Sequence, residues 1–296
     1  MTSILPGPDY PAPAKLNLFL HVVGRRPDGY HLLQTVFRFI SHGDSLRFRP
    51  RNDGVIARVN ELADVPAESD LCVRAARLLQ QKSGCKLGAD IELDKKLPMG
   101  GGLGGGSSDA ATVLIILNKL WGVGLSRAEL QELAVPLGAD VPVFIFGRNA
   151  FAEGVGEQLQ AIELPPAWYV VLQPPVLVST PLVFSAPELT RHTKTIKISD
   201  FSACAQDLAA ADGFHNDLQA VVCAKYPEVA DYLAWLDAQA KEFNGSARMT
   251  GSGACVFAEF ATRDAAEKVF ARLPQGMQGF VAQGLEKHPL LGLAEK

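Results

Sequence analysis

Six of the seven residues from position 100 to 106 are glycine, arranged around Leu103. In an ordered chain each glycine in place of alanine costs roughly 0.5–1 kcal/mol of backbone freedom. A run of this kind therefore persists where the bare backbone is itself what is needed. Ser107, Ser108 and Asp109 follow at once, all residues that start helices well, and then a strongly apolar stretch. The spacing predicts a buried helix over 107–120. A flexible linker does not normally run straight into such a helix. Amide groups converging on a helix N-terminus make an anion site. Gly100-x-Gly102-x-x-Gly105 formally fits the dinucleotide fingerprint, but the acidic residue expected about 20 positions on is not evident. Gly101-x-x-x-x-Gly106 has the spacing of a P-loop, with Ser107 where that motif carries lysine. The loop can cradle phosphate, and its cation must come from elsewhere.

The rest of the composition narrows the class. At 296 residues and 48% hydrophobic content the chain fills one large domain or two ordinary ones. The formal charge of -4 argues against a nucleic-acid partner. The basic stretch 15–51 reads as a solvated strand face, because Arg47 and Arg49 alternate with apolar residues. Five irregularly spaced cysteines, without a C-x-x-C pair, fit a reducing compartment. No leader-like N-terminus and no apolar run of about 18 residues is present, so a cytoplasmic protein without a membrane partner is expected. The six histidines show no metal-ligand spacing.

Along the chain, alternation predicts strands over 16–22, 31–40 and 46–49, with the turn Arg26-Pro27-Asp28-Gly29 between the first two. A helix is predicted over 70–81, and Ser126-Arg127-Ala128-Glu129 is a capping box opening another. Strands over 168–172, 254–260 and 279–282 and helices over 216–223, 228–239 and 263–273 complete an α+β pattern in both halves. The composition shifts near Pro165-Pro166, giving expected domains of 1–163 and 164–296. Lys15 and Asn17, two residues apart, share a strand face. Asp140 is expected on a short turn, because Gly138 ends a helix and Pro142 disfavours helix at Val141.

Three segments carry a resemblance: Pro98-Met99-Gly100-Gly101-Gly102-Leu103-Gly104-Gly105-Gly106-Ser107-Ser108, Pro13-Ala14-Lys15-Leu16-Asn17-Leu18, and Thr250-Gly251-Ser252-Gly253-Ala254. Together they resemble the GHMP kinases (galacto-, homoserine, mevalonate and phosphomevalonate kinases). The likeness spans residues 12–283. It implies a two-domain α+β fold, with an ATP-binding domain like ribosomal protein S5 domain 2, a ferredoxin-like second domain and the active site in the cleft between them. Arg26-Pro27-Asp28-Gly29-Tyr30-His31 and Gly138-Ala139-Asp140-Val141-Pro142 are similar to the branch acting on a small cytidine diphosphate substrate of the non-mevalonate isoprenoid pathway.

On that resemblance, residues 98–108 wrap the triphosphate of ATP, with Ser107 or Ser108 near phosphate or Mg²⁺, and Lys95 meets the nucleotide. Asp140 is the base that accepts the proton of the substrate's 2-hydroxyl. Lys15 supplies the cation missing from the loop, and Asn17 stands beside it at the substrate. His31 meets the cytosine edge, while Tyr30 and Phe184 stack on its faces. Mg²⁺ enters only with the nucleotide. Asp70 stands where the resemblance implies an asparagine near adenine, and an ionised carboxylate cannot donate a hydrogen bond there. A homoserine- or mevalonate-type kinase remains the enzyme alternative, against which Tyr30 and His31 speak. A non-catalytic nucleotide-binding protein is the other, against which Lys15 and Asp140 speak together. Monomer and homodimer stay equally open.

Overall fold

The computed structural model describes residues 4–60, 66, 69–204 and 213–293 and, over 202–204, the backbone alone. The first half contains β1 (Tyr10–Arg25), β2 (His31–Arg51), β3 (Ile56–Arg58), α1 (Leu71–Ser83), β4 (Gly88–Asp94) and α2 (Gly105–Leu120). It continues through α3 (Arg127–Ala134), α4 (Val141–Phe146), β5 (Ala150–Glu153) and β6 (Gln158–Ala161). Its sheet runs β3-β4-β2-β5-β6, with β1 paired to β2. The second half contains β7 (Trp168–Leu172), α5 (Thr180–Ser185), α6 (Ile198–Cys204), α7 (Gln219–Lys225) and α8 (Pro227–Lys241). It closes with β8 (Ala247–Met249), β9 (Val256–Phe260), α9 (Arg263–Phe270) and β10 (Gly279–Gln283). Its antiparallel sheet has the order β10-β7-β9-β8, and the succession strand, helices, strand, strand, helix, strand is ferredoxin-like. The α+β expectation holds in both halves.

Local chemistry places the helices. Asp70 accepts from Cys72 N to cap α1, and Gly84 ends that helix in the left-handed region. The capping box of Ser126 and Glu129 opens α3 as read from sequence. Two strand readings change. The separate strands expected over 31–40 and 46–49 are one 21-residue strand, β2, because its pairing with β1 continues through Pro13↔Gly43 and Tyr10↔Leu46. A register shift between Pro13 and Lys15 bends the pair instead of ending it. β1 also has no solvated face. One apolar cluster, with Ala12, Phe39 and Leu114, lies under α1 and α2; another, with Leu16, Phe19, Val171 and Phe257, fills the space between the two sheets.

The arginines at the C-terminal end of β2 are neutralised locally, whereas Arg38 is buried and donates to Pro165 O at 3.1 Å. Arg49 and Arg51 pair with Asp90, Arg51 also with Asp53, and Arg47 with Asp9. The four cysteines with described side chains, Cys72, Cys85, Cys223 and Cys255, are free. Among the described residues no helix is long and apolar enough to cross a membrane.

Candidate active site

The glycine loop descends from β4 and ends as α2, which begins at Gly105, two residues earlier than its sequence suggests. Gly104 caps the helix at φ +71°, and Gly102 sits at φ +73°. A Cβ on Gly102 would lie 2.2 Å from the carbonyl oxygen of Thr250, and one on Gly104 would lie 3.0 Å from both Lys15 Cε and Phe144. Glycine is therefore required here both by the left-handed backbone and by close approach. The loop is held from behind by the second half: Cys255 N donates to Gly101 O at 3.1 Å, and Thr250 Oγ1 to Gly102 O at 3.3 Å.

Two cavities flank the loop. A larger one, about 400 Å³, runs along residues 98–107 past Asp70 and Lys95. A smaller one, about 250 Å³, is lined by Lys15, Asn17, Thr35, Phe37 and Phe184 among others. They share Gly102, Ser107, Asp140, Thr180 and Ser252, so the two spaces meet at Asp140.

At that junction Lys15 is 2% exposed. Its ammonium lies 3.0 Å from Asp140 Oδ2 and donates to Asn17 Oδ1 at 2.6 Å and to Gly102 O at 3.1 Å. Three acceptors match the three protons of an ammonium. Asn17 is fixed in turn, since its Nδ2 donates to Thr35 Oγ1 and its backbone N to Thr250 Oγ1, both at 2.9 Å. The Asp140 side chain remains 34% exposed. It is the N-cap residue of α4, and Val141 is helical after all: Pro142 falls in the first turn, where its missing N–H costs nothing.

The two serines separate. Ser108 is buried and its Oγ donates to Pro13 O at 2.7 Å, whereas Ser107 lines both cavities. Lys95 lines the larger cavity, but its ammonium is held by Asp44 and, at 3.0 Å, by Asp109. Burial pulls Lys95 down, and the two carboxylates outweigh it to hold the ammonium above its usual range. Burial raises Asp109, with Lys95 opposing and Asp44 adding to the rise. Asp70 is occupied as well: one oxygen caps α1 at 2.7 Å and the other pairs with Arg58 of β3. The Arg58–Asp70 pair had no signal in the sequence.

The predicted base site lies beyond the smaller cavity. His31, at the start of β2, packs against Phe184 of α5, with ring centroids 4.9 Å apart at 33°. Tyr30 is 65% exposed beside them. The structure adds Arg191, a loop residue without any periodic or motif signal, whose Nε donates to His31 Nε2 at 3.2 Å. Thr180 Oγ1 and Ser252 Oγ, 2.7 Å apart, tie α5 to the loop 250–254. No cluster of three or more His, Cys, Asp or Glu residues that could hold a metal is found among the described residues.

A glycine loop running into a helix, and a lysine–carboxylate pair where two cavities meet, define a class. The GHMP kinases N terminal domain matches residues 70–148 and the GHMP kinases C terminal domain matches 197–279; the chain belongs to this family of ATP-dependent small-molecule kinases. Its relatives are more specific. A protein of Thiobacillus denitrificans named 4-diphosphocytidyl-2-C-methyl-D-erythritol kinase is 62% identical over 95% of this chain and 96% of its own length. A protein of the same name from Nitrosospira multiformis is 60% identical over 97% of this chain and 94% of its own. A crystal structure of 4-(cytidine 5'-diphospho)-2C-methyl-D-erythritol kinase matches with a TM-score of 0.80 at 33% identity, covering 93% of this chain and 98% of that one. Homoserine kinase from Cytophaga hutchinsonii, 16% identical with a TM-score of 0.65 over 97% of each chain, shares the fold.

Proposed function

We propose that this chain transfers the γ-phosphoryl group of ATP to the 2-hydroxyl of 4-diphosphocytidyl-2-C-methyl-D-erythritol. The observation that carries the reading is the Lys15–Asp140 pair at the meeting point of the two cavities. Nucleotide in the larger cavity and acceptor in the smaller would face each other across Asp140. The names of the relatives supply the identity of the acceptor.

Phosphoryl transfer asks the protein mainly for positioning and charge stabilisation. In this reading the amides of 100–106 and the N-terminus of α2 hold the phosphates. Asp140 accepts the proton of the attacking hydroxyl. Lys15, pinned by Asn17 and Gly102 O, orients that carboxylate and offsets the negative charge that develops at the junction. Mg²⁺ carried by the nucleotide is a hard cation suited to oxygen donors, and the Ser107 hydroxyl, facing both cavities, would meet it and help neutralise phosphate charge. His31, Phe184 and Tyr30 hold the cytosine. The sheets end and begin at Ala161 and Trp168, which supports a division into domains 1–163 and 164–296.

The test is ADP release with the cytidylyl substrate beside homoserine and mevalonate, with the product's new phosphate ester located by ³¹P NMR. Turnover of the cytidylyl substrate alone is expected. Turnover only of the other two would overturn the reading.

A further inference from the structure

Arg191 makes four hydrogen bonds that converge on the base site. Its Nη2 donates to Phe184 O at 3.1 Å and to Ala186 O at 2.6 Å, and Nη1 to Leu189 O at 3.0 Å. The first two acceptors are carbonyls at the C-terminal end of α5, the helix that carries Phe184. A fourth donor, Nε–H, reaches His31 Nε2 at 3.2 Å. One half-buried guanidinium therefore fixes the aromatic wall and the imidazole at once.

A guanidinium nitrogen only donates. A ring nitrogen that accepts from it must be bare, so the imidazole is neutral and carries its proton on Nδ1. The charged groups facing His31 are Arg191 and Arg25, both cations. With burial first, they lower its proton affinity and so agree with the neutral ring.

We propose that Arg191 is a specificity-determining positioning residue, which sets His31 as a hydrogen-bond donor through Nδ1–H toward the nucleobase. The inference rests on the functional reading above and deepens it. Cytosine presents an acceptor at N3, whereas uracil presents a donor there. A fixed donor satisfies the first and leaves two opposed donors with the second. Discrimination then comes from the paired histidine and arginine, since the stacking surfaces of Phe184 and Tyr30 accept either ring. Two opposed donors with no acceptor between them cost about tenfold in binding.

The test has two parts. In the full-length wild-type protein without substrate, the ¹⁵N shifts of the His31 ring report which nitrogen is protonated. A protonated Nδ1 with a bare Nε2 is expected; the proton on Nε2 overturns the proposal. Separately, kcat and KM are measured for the cytidylyl substrate and its uridylyl counterpart in wild type, Arg191→Met and Arg191→Lys. Arg191→Met is expected to raise the cytidylyl KM and to cut the cytidine-over-uridine preference, each about tenfold, with kcat and the KM for ATP within about twofold. Arg191→Lys, which keeps a donor, is expected to recover part of the preference. An unchanged preference in Arg191→Met, or a loss confined to kcat and ATP binding, overturns the proposal. Should the wild type phosphorylate neither nucleotide substrate, the functional reading fails, and the ring shifts still decide whether Arg191 sets the tautomer.

Discussion

Lys15 Nζ stands 3.0 Å from the Asp140 carboxylate, a contact between the middle of β1 and the turn before α4. The ammonium's two other protons go to Asn17 Oδ1 and Gly102 O, which hold it facing the carboxylate. Asp140→Asn is expected to lower kcat by about 10²–10⁴-fold, the usual scale of a lost general base. ATP affinity, measured by calorimetry, is expected to stay within a factor of about three, because the amides of the glycine loop are untouched. Turnover close to wild type would remove Asp140 from the proposed role.

Gly102→Ala places a Cβ 2.2 Å from Thr250 O at a backbone φ of +73°. The clash and the strained φ together are expected to lower stability by at least about 2 kcal/mol and to weaken ATP binding. Gly122→Ala is the control: φ is +65°, but nothing lies within 4 Å of its added Cβ. Only the strain of about 1 kcal/mol is expected there. Equal effects in denaturant titrations of the two variants would show that close approach to Thr250 is immaterial.

Asp70 is a cap and an ion-pair partner. Asp70→Ala is expected to cost about 2–3 kcal/mol, since it removes the cap of α1 and a charge-assisted hydrogen-bond partner of Arg58. Asp70→Asn keeps the cap and is expected to recover about 1 kcal/mol of that. Both variants should bind ATP within about twofold of wild type once folded, because both carboxylate oxygens are already used. A tenfold rise in the KM for ATP at unchanged stability would point to adenine contact instead.

His288 gives a pH signature. Burial, aided by Arg127, pulls its pKa down to about 3, and Leu290 N donates to its Nδ1 at 3.1 Å. The folded protein thus binds fewer protons than the unfolded chain between about pH 3 and 6.5, so stability rises with pH across that window. From pH 7 to pH 5 this one group removes about 2 kcal/mol. His288→Gln is expected to make the acid limb of urea unfolding shallower by that amount. An unchanged limb would show that His288 does not govern it.

The parts of this molecule legible in sequence are those whose cause is local. The capping box at Ser126, the turn before Tyr30 and the glycine run leading into α2 all depend on neighbours a few residues away. The continuity of β2 was not legible, because it depends on a partner strand bent at Pro13. Nor were the buried state of Lys15 and Asn17, which follows from the glycine loop and Asp140 closing over that face of β1, and the role of Asp70, which is fixed by Arg58 across the fold. Arg191 had no signal at all: its four acceptors are set by tertiary placement.

The loop 250–254 belongs to the second half, yet Thr250 holds both Asn17 N and Gly102 O. The proposed phosphate cradle is therefore a seam, with its back wall supplied by residues far along the chain. Produced as separate polypeptides, residues 1–163 would lack the support that sets Gly102, and residues 164–296 would carry that support with nothing to hold. Each fragment alone would be blind to nucleotide, and affinity would return only when the two were mixed, which makes ATP binding itself a reporter of their assembly.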